Sequence, residues 1–515
     1  MSHPDTLVWL AGHELRLGWR DWVTMITVGH RRRMSTVAIM LIVFFGFMHL
    51  LAYSMVRRYA LTGITPDTTT LIIATVIVLL SFSPLMSQAM ELVTRVFYSR
   101  SDLDLILTSP VNSRKIFSVR IGHIAAEVAL FAMLLATPFI DVLAVLGGPR
   151  WLIAYGAVAA MGPAATTFAV VLTVALFRTI GAKRTRLIAQ IVAAVIGAAF
   201  VIGLQIAAIL SYGSLSLSPL ISGWLITVVP NVGSPAWWPA RALLGDPTAL
   251  VRVVAISIAL FGATTMIFAA RFGDHVVAAA SVSYAVVPRR RWSKAFHPRS
   301  VGGVLRQKEW TLLARDPWLM SQILTQILYL LPPALFLWHT LHSRTDAYVL
   351  LVPMMVMAAG HLGSNLAWLS ISGEDAPDLV ATAPISAQRI IWAKIEAVMS
   401  AIAVIFAPLV TALALASIRP ALVAGVGILV TVASSILIQL CFRTQVSRSQ
   451  FRHRHASSSR IATFAEAFSS IAWAATFALA VASSWLGLVL AFFAITILGA
   501  VWLISPPNTQ AYATR

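Results

Sequence analysis

A single cysteine, Cys441, stands among 515 residues, so no internal disulfide can form, and its place in an apolar run assigns it to packing. Charge is nearly as scarce. Only 11% of residues are Asp, Glu, Lys or Arg, far below the quarter or so of a soluble globular domain, which excludes an ordinary water-soluble fold. Acids are rarer than bases, 19 against 38. Regular alternation of apolar and polar residues is absent, which excludes a transmembrane barrel. No Gly-x-x-x-x-Gly-Lys-[Ser/Thr] segment occurs, so there is no phosphate loop to cradle a nucleotide. The first 33 residues carry no apolar h-region, so no cleavable signal peptide is expected and the first long apolar run serves as the insertion signal. His13-Glu14-Leu-Arg-Leu17 starts like the zinc motif H-E-x-x-H but lacks its second histidine, and His453 and His455 sit in a basic run that repels a cation. Neither a metal site nor a catalytic group is expected.

What the chain has in abundance is hydrophobic residues, 59% of the total. Runs of about 20 apolar residues, each long enough to cross a bilayer as a helix, recur along its length. Twelve spans follow: Met34–Val56, Thr68–Met90, Ile121–Leu146, Trp151–Phe177, Leu187–Leu210 and Val253–Ala270, then Trp318–Trp338, Tyr348–Ile371, Ala397–Ile418, Ala421–Phe442, Ile461–Trp485 and Leu486–Ile504. Only the Ser483-Ser484 dipeptide divides the last pair. The fold class expected is an all-α polytopic membrane protein. With an inside amino terminus, 31 of the 38 Lys and Arg residues fall on the cytoplasmic side, including Arg31-Arg32-Arg33 and Arg289-Arg290-Arg291. That asymmetry places both termini in the cytoplasm. The net charge of +19 therefore reports topology and anionic membrane lipids as partners, not nucleic acid.

The spans form two six-span halves, 1–271 and 304–515, joined by a basic cytoplasmic linker, 272–303. Each half opens with a related segment. Glu14 is followed by Arg20, Asp21 and Trp22; Glu309 is followed by Arg315, Asp316 and Trp318. In the first copy (about 7–27), Val8, Leu15, Trp19, Trp22 and Ile26 make an apolar stripe with Arg16 and Arg20 off it, as in a helix lying in the membrane interface. The second copy, about 304–316, is a poorer amphipath. Shared order and orientation make the halves parallel repeats about an axis along the membrane normal.

A second segment repeats at a constant offset of 274, in loops at about 95–118 and 373–392. Asp104 matches Asp378, Leu105 Leu379, Thr108 Thr382, Pro110 Pro384, Lys115 Arg389 and Arg120 Lys394. Ser101 with Asp104, and Asp375 with Asp378, have N-cap spacing, so a short helix is expected in each loop, stopped by its proline. Asn112 or Ser113 in one loop, and Ser386 in the other, are placed to cap the helix that follows. A short cytoplasmic helix that presents apolar and acidic side chains suits docking, the reading favoured over a capped connector lying along the headgroups.

An interfacial elbow helix, six spans, and a D-L-x-x-x-x-[ST]-x-P loop after the second span resemble the permease of an exporter-type ATP-binding-cassette (ABC) transporter, of the type-2 permease family. The resemblance covers the whole chain twice over. It implies that the loops are coupling helices received by a separate ATPase subunit in two copies, with contacts from Ser101, Asp102, Asp104, Leu105, Thr108 and Pro110, and from Asp375, Asp378, Leu379, Thr382 and Pro384. ATP and Mg would belong to that partner and no cofactor to this chain. It also implies a bacterial inner membrane, export, and two permease halves fused. One departure is the segment Ser211–Asp246, with Trp224, Trp237 and Trp238, which has no counterpart in the second half. Apolar spans suit a hydrophobic or amphipathic substrate.

Ionisable and amide groups inside the spans are the remaining candidates. His123 and Glu127 share a face at i, i+4, as do His361 and Asn365; Glu466, Gln190, Gln205 and Gln439 stand alone. Interhelical hydrogen bonding is the reading favoured for them. The alternative function is a proton- or ion-coupled secondary transporter that uses His123 and Glu127, although the elbow and the capped loops have no place in it.

Overall fold

The computed structural model describes residues 7–27, 42, 45, 46, 48–57, 67–98, 113–212, 230–269, 300–315, 324–332, 335, 348–372, 382–442 and 460–505. Among these there is no strand. The chain divides into two compact units, Met1–Val201 with Ser218–Arg289, and Ile202–Leu217 with Arg290–Arg515. The break at 289/290 falls inside the basic linker expected at 272–303.

Unit 1 contains α1 (Leu7–Thr27), α2 (Thr68–Tyr98), α3 (Ser113–Gly147), α4 (Ile153–Ile180), most of α5 (Ala182–Tyr212), the short α6 (Trp238–Leu243) and α7 (Pro247–Ala269). Unit 2 contains α8 (Val301–Arg315), α9 (Tyr348–Ser372), α10 (Ala387–Ala416), α11 (Ile418–Cys441), α12 (Arg460–Val481) and α13 (Leu486–Ile504). Among the described residues ten helices are long and apolar enough to cross a membrane, and they coincide with ten of the twelve spans expected. Met34–Val56 and Trp318–Trp338 are described only in part. Large apolar side chains such as Val145, Leu415 and Leu503 are exposed. In an integral membrane protein these are the lipid-facing surface, since water is not the solvent there.

Apolar burial drives little association inside a bilayer, so the spans are held by close packing and hydrogen bonds. In unit 1, Gly162 lets α4 approach α3 so closely that a Cβ there would meet the Ala125 carbonyl and Ala129 at 2.6 Å. Ser83 Oγ donates to the Ile196 carbonyl, joining α2 to α5, and Ser257 Oγ donates to the Ala160 carbonyl at 2.7 Å, joining α7 to α4. Leu85, Met90, Phe117, Ile121, Val170 and Val174 fill the core between. In unit 2, α9 is the central helix, with 67% of its span buried. A Cβ on Gly360 would stand 2.5 Å from both Ser470 Oγ and Thr431 Cγ2. Trp473 Nε1 donates to Ser434 Oγ at 2.9 Å.

The Ser483-Ser484 boundary is a true helix break. α12 stops at Val481, the Ser484 amide bonds back to the Leu479 carbonyl at 2.9 Å, and Ser483 takes φ +58°, the left-handed position usually given to glycine after a helix. Arg419 Nη2 donates to Ser483 Oγ at 2.6 Å and holds the turn.

Candidate functional site

Most of the repeated loop lies outside the described residues: Ser101, Asp102, Asp104, Leu105, Thr108 and Pro110 in the first copy, Asp375, Asp378 and Leu379 in the second, and likewise Asp316 and Trp318. The helices that hold the loops are described. The first hangs between Tyr98 and Ser113, the ends of α2 and α3; the second between Ser372 and Ala387, the ends of α9 and α10. Thr382 and Pro384 stand exposed just before α10. Ser386 occupies the N-cap position with extended backbone, as expected, but its hydroxyl makes no capping bond; its carbonyl instead accepts the Arg389 amide at 3.0 Å.

At the base of the second loop the two repeated segments meet. Glu309, on α8, is 2% exposed, and its Oε1 lies 3.2 Å from Lys394 Nζ on α10. Lys394 is itself buried, and its Nζ also donates to the Ser370 carbonyl at 2.5 Å. That carbonyl belongs to the last turn of α9, where backbone carbonyls have no donors within the helix and the helix dipole favours a cation. Ser370 Oγ completes the circuit by donating to Glu309 Oε2 at 3.3 Å. Lys308 Nζ approaches Glu309 Oε1 at 3.5 Å from the more exposed side, and on the surface Arg306 Nε pairs with Glu396 Oε2 at 3.2 Å. One carboxylate, one ammonium and one serine thus join α8 to both helices that flank the loop. Two charges out of water are costly unless paired and fully bonded, and here they are.

α1 covers its expected range and rests on α3, where a Cβ on Gly18 would stand 3.1 Å from His123 Cε1. Glu14 is half-buried and Arg20 exposed, while Leu15 and Trp19 of the predicted stripe are exposed too, at 60% and 65%. An apolar stripe facing off the protein beside membrane spans is the pattern of an interfacial helix. Asp21, Trp22 and Arg315 have helical backbone, and their side chains lie outside the described residues.

The intramembrane candidates separate into two kinds. Glu466 on α12 is buried and binds two other helices: Ser364 Oγ of α9 donates to its Oε2 and Gln439 Nε2 of α11 to its Oε1. This is the expected structural role. His123 and Glu127 are half-buried on α3 with no hydrogen bond or ion pair between them. His123 Nδ1 is buried without a hydrogen-bond partner. His361 is exposed, whereas Asn365, one turn on, is buried.

Two groups escaped the sequence reading. His49 Nε2 lies 3.3 Å from Asp141 Oδ2, and Tyr155 O–H donates to Asp141 Oδ1 at 2.7 Å, linking the first span, α3 and α4. Each was a lone polar residue in an apolar run, and nothing local pairs them. Lys394 was visible only as the partner of Arg120 in the repeat. Among the described residues no group of three or more His, Cys, Asp or Glu side chains is placed to hold a metal. Comparison with known protein families, with curated proteins and with solved structures finds no match to this chain.

Proposed function

We propose that this chain is the membrane-spanning permease of an ATP-driven ABC exporter, with two six-span halves fused and ATP hydrolysed by a separate subunit. The observation that carries the reading is the Glu309–Lys394–Ser370 clasp. A loop that only connects two spans needs no rigid tie between its flanking helices and a third one. A loop that receives force does. Pushed by a partner, the loop at 373–386 displaces the last turn of α9 and the first turns of α10 together, and the clasp passes that displacement to α8. The ATPase would contact Asp104, Leu105, Thr108 and Pro110 in one loop and Asp378, Leu379, Thr382 and Pro384 in the other.

The wider arrangement in this reading is twelve spans in two parallel repeats, both termini in the cytoplasm of a bacterium, and a hydrophobic or amphipathic cargo passing between the halves. With no phosphate loop in the chain, energy enters through the docked subunit. The test is affinity purification of the tagged chain from its native membrane. A phosphate-loop ATPase should be retained by the unaltered chain and lost when Asp104→Ala and Asp378→Ala are combined. Retention by the double variant, or no ATPase with the unaltered chain, overturns the proposal.

A further inference from the structure

Three arginines at the end of unit 1 remote from its repeated loop share one arrangement. Arg57 lies over the Tyr53 ring at 5.6 Å, Arg150 over Trp151 at 5.4 Å and Arg252 over Trp238 at 4.9 Å. All three are exposed. They share that end because α3 runs away from the loop to Gly147, just before Arg150; a Cβ on Gly245, just before α7, would meet the Arg150 carbonyl at 3.0 Å. His49, two turns before Arg57, contacts Asp141 near the same end of α3.

None of the three has a carboxylate partner among the described residues, although acids are at hand. Asp67 is used by the Thr70 amide at 3.1 Å. Asp141 is taken by His49 and Tyr155. Asp246 caps α7 through the Thr248 and Ala249 amides and feels the charge of Arg241. Arg241 in turn donates to the Val232 carbonyl. The paired and unpaired cations therefore divide cleanly, and the unpaired ones are those that lie over an aromatic ring. Stacking fixes a guanidinium while leaving its N–H edge free to take two oxygens of a phosphate. Tyr and Trp at a span end mark the headgroup level.

We propose that this end of unit 1 binds anionic phospholipid, with Arg57, Arg150 and Arg252 taking the headgroup phosphates and their rings lying at the boundary with the acyl chains. The proposal stands whether or not an ATPase docks at the other end. A basic group near an anionic surface is worth about fivefold in binding, so the three together amount to about a hundredfold.

The probe is phosphatidylglycerol, with phosphatidylcholine as the uncharged comparison. The intact chain, reconstituted with both lipids and then stripped in neutral detergent, is examined by native mass spectrometry. Phosphatidylglycerol should stay bound to the unaltered chain, and its retention should fall about a hundredfold when Arg57→Gln, Arg150→Gln and Arg252→Gln are combined. Conservative Arg→Lys changes at the three positions keep charge but lose the stacked fork, and should give an intermediate loss. Equal retention by the unaltered chain and the glutamine variant overturns the proposal, as does retention of phosphatidylcholine as strong as that of phosphatidylglycerol. Because the three side chains are exposed, thermal unfolding of both variants should match the unaltered chain; a glutamine variant that melts early is replaced by its three single changes, each expected to cost about fivefold.

Discussion

Glu309 and Lys394 form a buried ion pair 3.2 Å apart that joins α8 to the helix following the second repeated loop. The contact is sensitive to single substitutions, because each partner depends on the other to offset its desolvation.

Lys394→Met should therefore destabilise unit 2 by about 3–5 kcal/mol, leaving the Glu309 carboxylate buried with Ser370 and the weaker Lys308 contact. Glu309→Gln combined with Lys394→Met removes both charges and should recover much of the loss. Thermal unfolding in detergent compares the unaltered chain, the single variant and the double variant. A double variant no better than the single one would mean that the pair contributes shape and not charge.

Glu466→Leu should cost about 1–3 kcal/mol, since it strands the Ser364 hydroxyl and the Gln439 amide among apolar helices. Glu466→Gln keeps a carbonyl oxygen for one of them and should cost less. Proteolysis of the loop between α11 and α12 provides a local readout. Equal rates for the two variants would remove the network from consideration.

Gly360→Val should separate α9 from α11 and α12, because even its first carbon has 2.5 Å to share with Ser470 and Thr431. Overpacking of this kind costs about 1–3 kcal/mol. Gly425→Ala is the control on α11, where no atom lies within 4 Å of the added carbon, and its melting temperature should not fall.

Asp246 should make unit 1 acid-sensitive. The Thr248 hydroxyl, then the Ala249 and Thr248 amides and the Arg241 charge, hold its carboxyl below the ordinary 3.8, against a smaller opposing effect of burial. The unfolded chain thus takes up the proton first, so the contribution is complete above 3.8 and is lost as pH falls through the lower folded value. Asp246→Ala should cost about 0.5–2 kcal/mol at neutral pH, as the loss of a helix N-cap. The same variant should lose less stability than the unaltered chain on acidification below 3.8. Melting curves at neutral and strongly acid pH decide it.

Run length is enough to locate ten of the twelve expected spans, since a helix that crosses a bilayer must be long and apolar whatever it packs against. The same local logic found α1, α8 and the Ser483 break. It failed where the structure depends on contacts distant in sequence. Glu309 and Lys394 were each legible as members of separate repeats, but nothing in either repeat says that one reaches the other. His49 and Asp141 lie in different spans and meet only after the bundle forms. His123 and Glu127, by contrast, had the right spacing for a pair, and the side chains do not bond. Ser386 shows the limit at smaller scale: it stands at the N-cap position, while its hydroxyl makes no capping bond.

The clasp also sets an order of events during synthesis. Glu309 leaves the ribosome well before Lys394, and the whole of α9 must be made and inserted in the interval. Until then Glu309 has only Lys308 of its own helix beside it, and the last turn of α9 lacks its cation. Closure of the 309–394 pair therefore comes only after α9 is complete, and the tie between α8 and α10 forms later than either helix.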